Sequence, residues 1–438
     1  MSDTNPPHAD GSPAVVDHGS VGEGSTDSSE SPLVSVSGLT KYFGTDTGIF
    51  DRLFGTQEPP VRAVDGLSFD IRRGETLGLV GESGCGKSTA GETLLRLQAP
   101  TSGEVTFDGQ SVYDLSGSDL TAFRRSTAIV FQDPFSSLDP RMEIGEIVRQ
   151  PLDIHEIGEP EERNERVGEL LDRVGLSADQ FDRYPHEFSG GQRQRIGIAR
   201  ALALDPEFVV LDEPTSALDV SVQAQVLNLL SDLQTEFDLT FLLISHDLSV
   251  IRQVCDRVAV MYLGELIEIG PAATVFNEPR HPYTQALLES VPRATSSEAD
   301  REITTISGDV PSPRNPPSGC RFRTRCPAVI PPPDIDLDQA AYREIQTVRE
   351  RIANRAFTAE NPDASPDEVA ATFYDRAIDH DLPDPHRDRL ERAFVAVAND
   401  EFERATAMLA DHYESVCERE SPALGSGHHA AACHLLDE

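Results

Sequence analysis

Tryptophan is absent from this sequence, and lysine occurs only at Lys41 and Lys87 among 37 lysine and arginine residues. The chain has no run near the roughly 20 apolar residues that a transmembrane helix needs, so we expect no membrane span. Asp and Glu total 75, which gives the 438 residues a formal net charge of −38. Because a field of this sign repels nucleic-acid phosphates, we expect no nucleic-acid partner.

The acidic residues are spread along the whole chain and are not confined to a tail. This distribution favours a halophile as the source, because molar salt screens charges within about 3 Å and tolerates an acidic surface. The alternative is an ordinary acidic protein with disordered acidic tails. No basic segment followed by an apolar one stands at the N-terminus, so we expect a cytosolic chain whose six cysteines are reduced or bound to metal.

Composition divides the chain into a tail, an α/β region and a C-terminal extension. Residues 1–32 are rich in Ser, Gly, Pro and Asp, and we expect a disordered acidic tail. Over residues 33–295, short apolar runs alternate with helical patterns, as in an α/β fold whose sheet is buried on both faces. The strand candidates include Thr76–Val80, Thr127–Phe131, Phe208–Leu211 and Thr240–Ile244.

The C-terminal extension, residues 296–438, starts with a proline-rich stretch and becomes helical over about residues 334–416. Ser365–Glu368 combines an N-cap serine, a proline at the first helical position and a capping-box glutamate. We interpret residues 334–416 as a solvated helical insertion, with a partner-binding module as the alternative. We interpret His428 and His429, near the C-terminus, as a solvated pair. One helical face is approximated by Leu390, Phe394, Val397, Phe402, Ala405 and Leu409.

A glycine-rich motif follows the strand candidate Thr76–Val80 and precedes a helical pattern that starts near Thr89. Backbone N–H groups and the helix N-terminus would hold phosphates there, Lys87 would reach the outer phosphates, and Ser88 would bind Mg²⁺. The motif fits GxxxxGK[ST] and predicts a P-loop NTPase core. Its residues are Gly81, Glu82, Ser83, Gly84, Cys85, Gly86, Lys87 and Ser88.

Two carboxylates end the apolar strand candidate Phe208–Glu213. Asp212 fits the acid that holds Mg²⁺ in P-loop NTPases. Adjacent residues on a strand point to opposite sides, so we expect Glu213 to face away from Asp212 and to act as the base for the attacking water. The pair is informative because the phosphate motif lies upstream of it.

A second anion-binding helix N-terminus is predicted by a serine and two glycines placed before the helical pattern Arg193–Leu202. A simple P-loop NTPase has no need of two such sites. The motif comprises Ser189, Gly190, Gly191 and Gln192, preceded by Phe188.

With these motifs in this order, the chain resembles the ATP-binding subunits of ABC transporters. The resemblance implies ATP and Mg²⁺ as ligands, and it implies that Ser189–Gln192 caps the nucleotide of a partner subunit. It also implies a nucleotide-binding domain over residues 33–295, with a helical subdomain at about 133–205. The one departure is Phe188 in place of leucine, a mild change at an apolar position.

The resemblance assigns roles to further matching residues. Gln132 would contact Mg²⁺, Asp219 would lie in the loop that crosses to the partner, and His246 would contact the γ-phosphate. Phe43 matches the aromatic residue that stacks on adenine, with Tyr42 as the alternative. The catalytic set implied is therefore Glu213, His246 and Lys87.

Further segments resemble the oligopeptide/dipeptide importer branch: Phe131–Pro134, Tyr184–Phe188, Met261–Gly264, His281–Thr284 and Asn315–Cys320. This branch implies import of oligopeptides or dipeptides, with ATP held between the chain and a second, non-identical ATPase subunit. It also implies two membrane permease subunits, an extracellular substrate-binding protein that acts indirectly, and a peripheral position on the cytoplasmic face of the membrane. Sugar or nickel cargo stays open as an alternative, as does a soluble ABC ATPase acting on DNA or ribosomes.

Four cysteines fall in the C-terminal extension: Cys320, Cys326, Cys417 and Cys433. Four thiolates suffice for a [4Fe–4S] cluster or a tetrahedral zinc, and the helical insertion could return its two ends to one place. The resemblance favours iron–sulfur, because some members of the branch carry a cluster there. The alternative is a set of reduced thiols that fill a small core.

Overall fold

The computed structural model describes residues 31–44, 59–216, 218–290, 308–358 and 364–436. The predicted disordered tail, residues 1–32, therefore falls almost entirely outside the described residues. The strands are β1 (Val34–Phe43), β2 (Val61–Ile71), β3 (Thr76–Val80), β4 (Ser102–Phe107), β5 (Gln110–Ser111), β6 (Thr127–Val130), β7 (Phe208–Asp212), β8 (Thr240–Ile244), β9 (Arg257–Tyr262), β10 (Glu265–Pro271) and β11 (Ala430–Ala431).

Helices fill the connections between these strands and most of the C-terminal extension. They are α1 (Lys87–Leu94), α2 (Gly117–Ser126), α3 (Pro134–Ser137), α4 (Ile144–Ile154), α5 (Pro160–Arg173), α6 (Gly190–Ala201), α7 (Val220–Phe237), α8 (Leu248–Val254), α9 (Ala272–Asn277), α10 (Pro282–Glu289), α11 (Gln339–Ala353), α12 (Pro366–Ala377), α13 (Asp384–Ala398), α14 (Phe402–Tyr413) and α15 (Val416–Arg419). Within the described ranges, no helix is both long enough and apolar enough to span a bilayer.

The larger sheet has the strand order β11-β10-β9-β3-β8-β7-β6. Strands β3 and β6 to β9 run parallel, with Leu77 opposite Leu242, while β10 and β11 are antiparallel additions at one edge. Every residue of β3, β7 and β8 is buried, which explains their continuous apolar runs. The parallel strands end at a common edge, where open α/β sheets bind ligands.

A smaller antiparallel sheet has the order β2-β1-β4-β5. Val34 on β1 pairs with Ile71 on β2 and with Phe107 on β4, so apolar side chains of three strands meet on one face. These residues are buried together with Leu77 and Leu79 of the larger sheet. The smaller sheet therefore packs on the strand that leads into the phosphate motif.

Four helices, α3 to α6, lie between β6 and β7 and occupy the region predicted as a helical subdomain. Helix α5 starts at Pro160 behind the capping residue Glu159, and it buries Val167, Leu170 and Leu171. The α/β fold with a helical subdomain is confirmed. Helix α6 starts at Gly190 and not at Arg193, because Ser189 caps the helix.

Two expectations about the C-terminal extension are corrected by the structure. The apolar set from Leu390 to Leu409 is buried, but it belongs to two helices, α13 and α14, that are separated at residues 399–401. His429 is not solvated: it is 8% exposed, and its Nε2 lies 2.7 Å from Oε1 of the fully buried Glu268. Strand β11 follows His429 and pairs with β10, which fastens the C-terminus to the larger sheet.

His281 caps helix α10, and it fulfils this role only when its Nδ1 is unprotonated. The Nδ1 atom accepts a hydrogen bond from the backbone N–H of Tyr283 at 3.0 Å. Burial lowers the pKa of His281 from 6.5 to about 4. The folded chain therefore resists protonation of this ring while the unfolded chain accepts a proton.

Stability should fall as the pH drops through the window between the two pKa values, since the unfolded state then binds more protons. Between about pH 7 and about pH 5, the loss from His281 amounts to roughly 2 kcal/mol. His281→Asn keeps a capping acceptor but has no titratable ring. Denaturant unfolding of both proteins at the two pH values should show a smaller loss in the variant, and an equal loss would contradict the assignment.

Candidate nucleotide-binding site

The glycine-rich motif forms the turn between β3 and α1. Gly86 has a φ of 107°, and a Cβ atom there would lie 1.8 Å from the carbonyl oxygen of Ala63. A Cβ atom on Gly81 would lie 2.1 Å from the carbonyl oxygen of Met261. Side chains at these two positions would force the backbone apart, so the loop needs glycine for its shape.

Lys87, the first residue of α1, is 5% exposed. Its Nζ atom donates hydrogen bonds to the carbonyl oxygens of Gly81 at 2.8 Å and Glu82 at 3.0 Å. The ammonium group thus turns back into the loop and lies beside the helix N-terminus. Both features place positive charge where the motif predicts phosphates.

Ser88 and Asp212, two of the three predicted Mg²⁺ ligands, meet although they are far apart in sequence. Ser88 Oγ donates to Asp212 Oδ1 at 3.1 Å. Burial raises the pKa of Asp212, the neighbouring carboxylate of Glu213 raises it further, and the hydrogen bond from Ser88 opposes both. A hydroxyl and a carboxylate side by side fit the preference of Mg²⁺ for oxygen ligands.

Two further predicted residues contact Glu213, the residue that follows Asp212. Gln132 Nε2 donates to Glu213 Oε2 at 2.8 Å, and His246 Nδ1 lies 3.0 Å from Glu213 Oε1. The strand ends at Asp212, however, so the expectation that strand alternation orients Glu213 is wrong. Glu213 instead has a φ of 45° and donates its N–H to Ile244, a left-handed turn that aims its carboxylate at Gln132 and His246.

The structure separates the two candidates for adenine stacking. Tyr42 is partly buried, and its hydroxyl donates to Asp65 Oδ1 at 2.6 Å. Phe43 is 38% exposed at the end of β1, with Lys41 Nζ 5.0 Å from the centre of its ring. An accessible ring suits stacking on a base, so the geometry favours Phe43 over Tyr42.

The second glycine motif has local contacts of its own. Ser189 N–H donates to Gln192 Oε1 at 3.0 Å, and Gln192 N–H donates to Ser189 Oγ at 3.4 Å, a capping box for α6. A Cβ atom on Gly191 would lie 2.3 Å from Val222 Cγ1, so close packing on α7 requires this glycine. Contact of Ser189–Gln192 with a partner's nucleotide stays a prediction.

Asp219 caps helix α7. Its Oδ1 accepts hydrogen bonds from the N–H groups of Ser221 at 3.1 Å and Val222 at 3.0 Å. Hydrogen bonds from the Ser221 side chain and the Val222 backbone lower its pKa. The predicted crossing loop thus ends at the capped N-terminus of α7, and its contact with a partner stays a prediction.

Two residues that no sequence motif indicated contact the phosphate-binding loop. Tyr283 Oη accepts a hydrogen bond from the Glu82 N–H at 3.0 Å, and Arg325 forms an ion pair with the Glu82 carboxylate at 2.8 Å. Arg325 lies 243 residues from Glu82, and no spacing rule connects the two. The nearest signal is its position directly before Cys326.

The helical insertion does return its ends to one place. Cys320 N–H donates to the carbonyl oxygen of Cys417 at 2.8 Å. Burial raises the pKa of the Cys320 thiol to about 12, and Cys326, Cys417 and Cys433 act on it electrostatically in the same direction. Among the described residues, however, no three His, Cys, Asp or Glu side chains are arranged as metal ligands. The expected four-cysteine metal site therefore stays a prediction.

Comparison with known proteins agrees with this architecture. The ABC transporter family matches residues 64–216, and the C-terminal region of the oligopeptide/dipeptide transporter family matches residues 267–331. An oligopeptide transport ATP-binding protein of Bacillus subtilis, AppF, is 52% identical over 308 residues, covering 70% of this chain and 92% of that protein. This chain belongs to the ATP-binding proteins of oligopeptide/dipeptide ABC transporters. It is an ABC ATPase.

Other relatives have a similar extent. A putative oligopeptide transport ATP-binding protein of Bacillus subtilis, YkfD, is 54% identical over 302 residues, covering 68% of this chain and 89% of the relative. A dipeptide transport ATP-binding protein of Haemophilus influenzae, DppF, is 50% identical over 295 residues, covering 67% and 88%. A domain of unknown function, DUF8228, matches residues 339–430. These comparisons do not support the expectation of a halophile source.

Proposed function

We propose that this ATPase subunit binds ATP and Mg²⁺ with the residues gathered at the sheet edge, and hydrolyses ATP to drive peptide import. Phe43 stacks on adenine, the loop Gly81–Gly86 with Lys87, Ser88 and Thr89 holds the phosphates, and Ser88, Asp212 and Gln132 hold Mg²⁺. The observation that carries the proposal is the convergence of Ser88 with Asp212 and of Gln132 and His246 with Glu213.

Glu213 is the base in this proposal. Its carboxylate is 13% exposed and is positioned by Gln132 on one oxygen and His246 on the other. A water beside it would lose a proton to it while attacking the γ-phosphate, and His246 would contact that phosphate. Bound Mg²⁺ supplies Lewis-acid stabilisation of the charge that develops on the phosphate oxygens.

The proposal includes partners. Residues Ser189, Gly190, Gly191 and Gln192 cap the nucleotide of a second, non-identical ATPase subunit, and Asp219 lies where the chains cross. Two membrane permease subunits bind this pair at the cytoplasmic face of the membrane, and a substrate-binding protein outside delivers oligopeptides or dipeptides. Support comes from the matched transporter families, from the transport functions in the relatives' names, and from a helix N-terminus, that of α6, whose glycine motif is separate from the phosphate-binding loop.

Replacing the base should stop hydrolysis but not binding. Glu213→Gln should lower ATP turnover by about 10²-fold or more, because loss of a general base costs 10²–10⁴. Lys87→Ala is the matched comparison, since it removes the phosphate contact and should weaken ATP binding itself. Both are measured in the assembled transporter by phosphate release and nucleotide binding. Wild-type turnover in the Glu213 variant would remove that residue from its proposed role.

The partner assignment has its own test. Ser189→Arg places a bulky cation at the N-terminus of α6 and should damage hydrolysis at the nucleotide bound by the other subunit. Nucleotide bound by Lys87 of the same chain should be retained. Photoreactive ATP, followed by identification of the labelled subunit, distinguishes the two sites. Labelling that places Ser189 only against its own chain's nucleotide would contradict the shared site.

We also propose that Cys320, Cys326, Cys417 and Cys433 hold a structural metal, a [4Fe–4S] cluster in preference to Zn²⁺. Support is the hydrogen bond between the Cys320 and Cys417 backbones, together with the electrostatic effect of Cys326, Cys417 and Cys433 on the pKa of Cys320. Sulfur ligands suit both iron–sulfur clusters and zinc. The site would tie the two ends of the helical insertion together.

Metal analysis tests the cysteine site without reference to activity. Anaerobically purified protein should contain about four irons per chain, the content of a [4Fe–4S] cluster, or one zinc. Cys417→Ser should lower that content, whereas Cys255→Ser, outside the cluster, should leave it unchanged. Protein with neither metal, or a Cys417 variant with wild-type metal content, would defeat the assignment.

A further inference from the structure

Glu82, in the phosphate-binding loop, is held through every polar group it has. Its N–H donates to Tyr283 Oη, and its carbonyl oxygen accepts from Lys87 Nζ, each at 3.0 Å. Its carboxylate accepts two hydrogen bonds from the guanidinium of Arg325, at 2.8 and 3.0 Å. Paired bonds of this kind are among the strongest and most directional in proteins.

The Arg325 side chain is itself held by burial and by a contact with Tyr262. Its side chain is 7% exposed, against 23% for Glu82, and it also donates to Tyr262 Oη at 3.3 Å. The rings of Tyr262, Tyr283 and Phe322 form a packed cluster, with centroid distances of 4.8, 5.4 and 5.3 Å. The ion pair therefore joins the loop to a packed aromatic cluster in which β9, α10 and the C-terminal extension meet.

The contact between Glu82 and Arg325 bears on ligand binding, because Glu82 is negatively charged. A carboxylate in the loop that receives a triphosphate repels that ligand, and repulsion is strong where burial limits screening. Lys87 is the only lysine in residues 81–88, so the loop itself has little positive charge to compensate for the Glu82 carboxylate. Arg325 offsets the Glu82 charge and directs the carboxylate toward the C-terminal extension.

We propose that Arg325 is a positioning residue for nucleotide binding: it neutralises Glu82 and fixes the phosphate-binding loop from the C-terminal extension. The inference rests on the proposed assignment of residues 81–88 to the ATP phosphates. It adds to that site a residue from outside the ABC transporter match, which ends at residue 216.

Arg321, in the same short segment, makes a parallel connection at the other end of the site. It forms an ion pair with Asp65, which accepts the hydroxyl hydrogen of Tyr42 next to Phe43. It also pairs with Glu265 at 3.0 Å. The segment 320–326 therefore contacts the phosphate-binding loop directly through Arg325, and it is linked through Arg321 and Asp65 to Tyr42, the neighbour of Phe43.

The test compares Arg325→Gln with Arg323→Gln in the assembled transporter, with Mg-ATP as the varied substrate. Arg323 lies in the same segment but pairs with Glu350 at 3.1 Å on α11, away from the loop. Arg325→Gln should raise KM for ATP about tenfold, equivalent to about 1.4 kcal/mol, and change kcat little. Arg323→Gln should leave both constants unchanged. An unchanged KM in the Arg325 variant overturns the proposal.

A charge-balanced variant separates positioning from a general structural role. Glu82→Gln combined with Arg325→Gln removes both charges, so KM should return to within about threefold of wild type, a fraction of the tenfold step. A merely structural role predicts that the double variant is at least as impaired as the single one, and that result overturns the proposal. If Arg325→Gln does not fold, Arg325→Lys takes its place: lysine keeps the positive charge but cannot form the two parallel hydrogen bonds to Glu82. KM should then rise about threefold, and a wild-type KM in this variant overturns the proposal.

Failure of the underlying site assignment would look different. Lys87→Ala should weaken ATP binding whether or not Arg325 positions the loop. Normal binding in Lys87→Ala would refute the assignment of residues 81–88, and the Arg325 proposal with it. Weak binding in Lys87→Ala with a wild-type KM in Arg325→Gln would refute only the proposal for Arg325.

Discussion

The close approach of the loop at Gly81–Gly86 to two neighbouring strands is the constraint on which the site depends. Gly86 has the backbone of β2 directly beside it, at Ala63, and Gly81 has that of β9, at Met261. Wedged between them, the loop curls tightly enough for Lys87 to reach back to its first carbonyl. Helix α1 then starts at the sheet edge, which brings Ser88 to Asp212.

Much of this could be predicted from the sequence, because the information was local. The continuous apolar runs of β3 and β8 and the glycine spacing of residues 81–88 follow from the needs of buried strands and a tight turn. Ser365 was likewise predictable as an N-cap, since capping depends on residues three positions apart. Helical periodicity also grouped the apolar residues of α13 and α14, which are buried, although it assigned them to one helical face and the structure has two helices.

The rest depended on tertiary contacts that periodicity does not encode. The left-handed turn at Glu213 is supported by a hydrogen bond to Ile244 on the neighbouring strand, so strand alternation misjudged its direction. From the sequence, His429 is interpreted as a solvated residue near the C-terminus. In the structure, β11 pairs with β10 and brings His429 to the buried Glu268. Arg325 reaches Glu82 only because the extension folds back over the loop.

Among the described residues, arginine pairs with several buried or half-buried carboxylates of this acidic chain. Glu75, 6% exposed, faces Arg257 at 3.0 Å, and Glu418 faces Arg349 at 2.7 Å. Such pairs add little net stability over apolar packing, but removing one partner leaves a buried charge unpaired. The pairs therefore specify which segments must meet, including the contact between the insertion and the residues that follow it.

The two ends of the helical insertion meet within hydrogen-bonding distance. Ser415 Oγ donates to the carbonyl oxygen of Ile330 at 2.6 Å, and Cys320 N–H donates to Cys417 at 2.8 Å. Helices α11 to α14 thus form a side branch, whose entry and exit occupy one point on the core. A segment whose ends are adjacent can be inserted or deleted without changing the path of the chain around it. The geometry of this branch therefore allows its sequence to diversify independently of the ATPase domain to which it is attached.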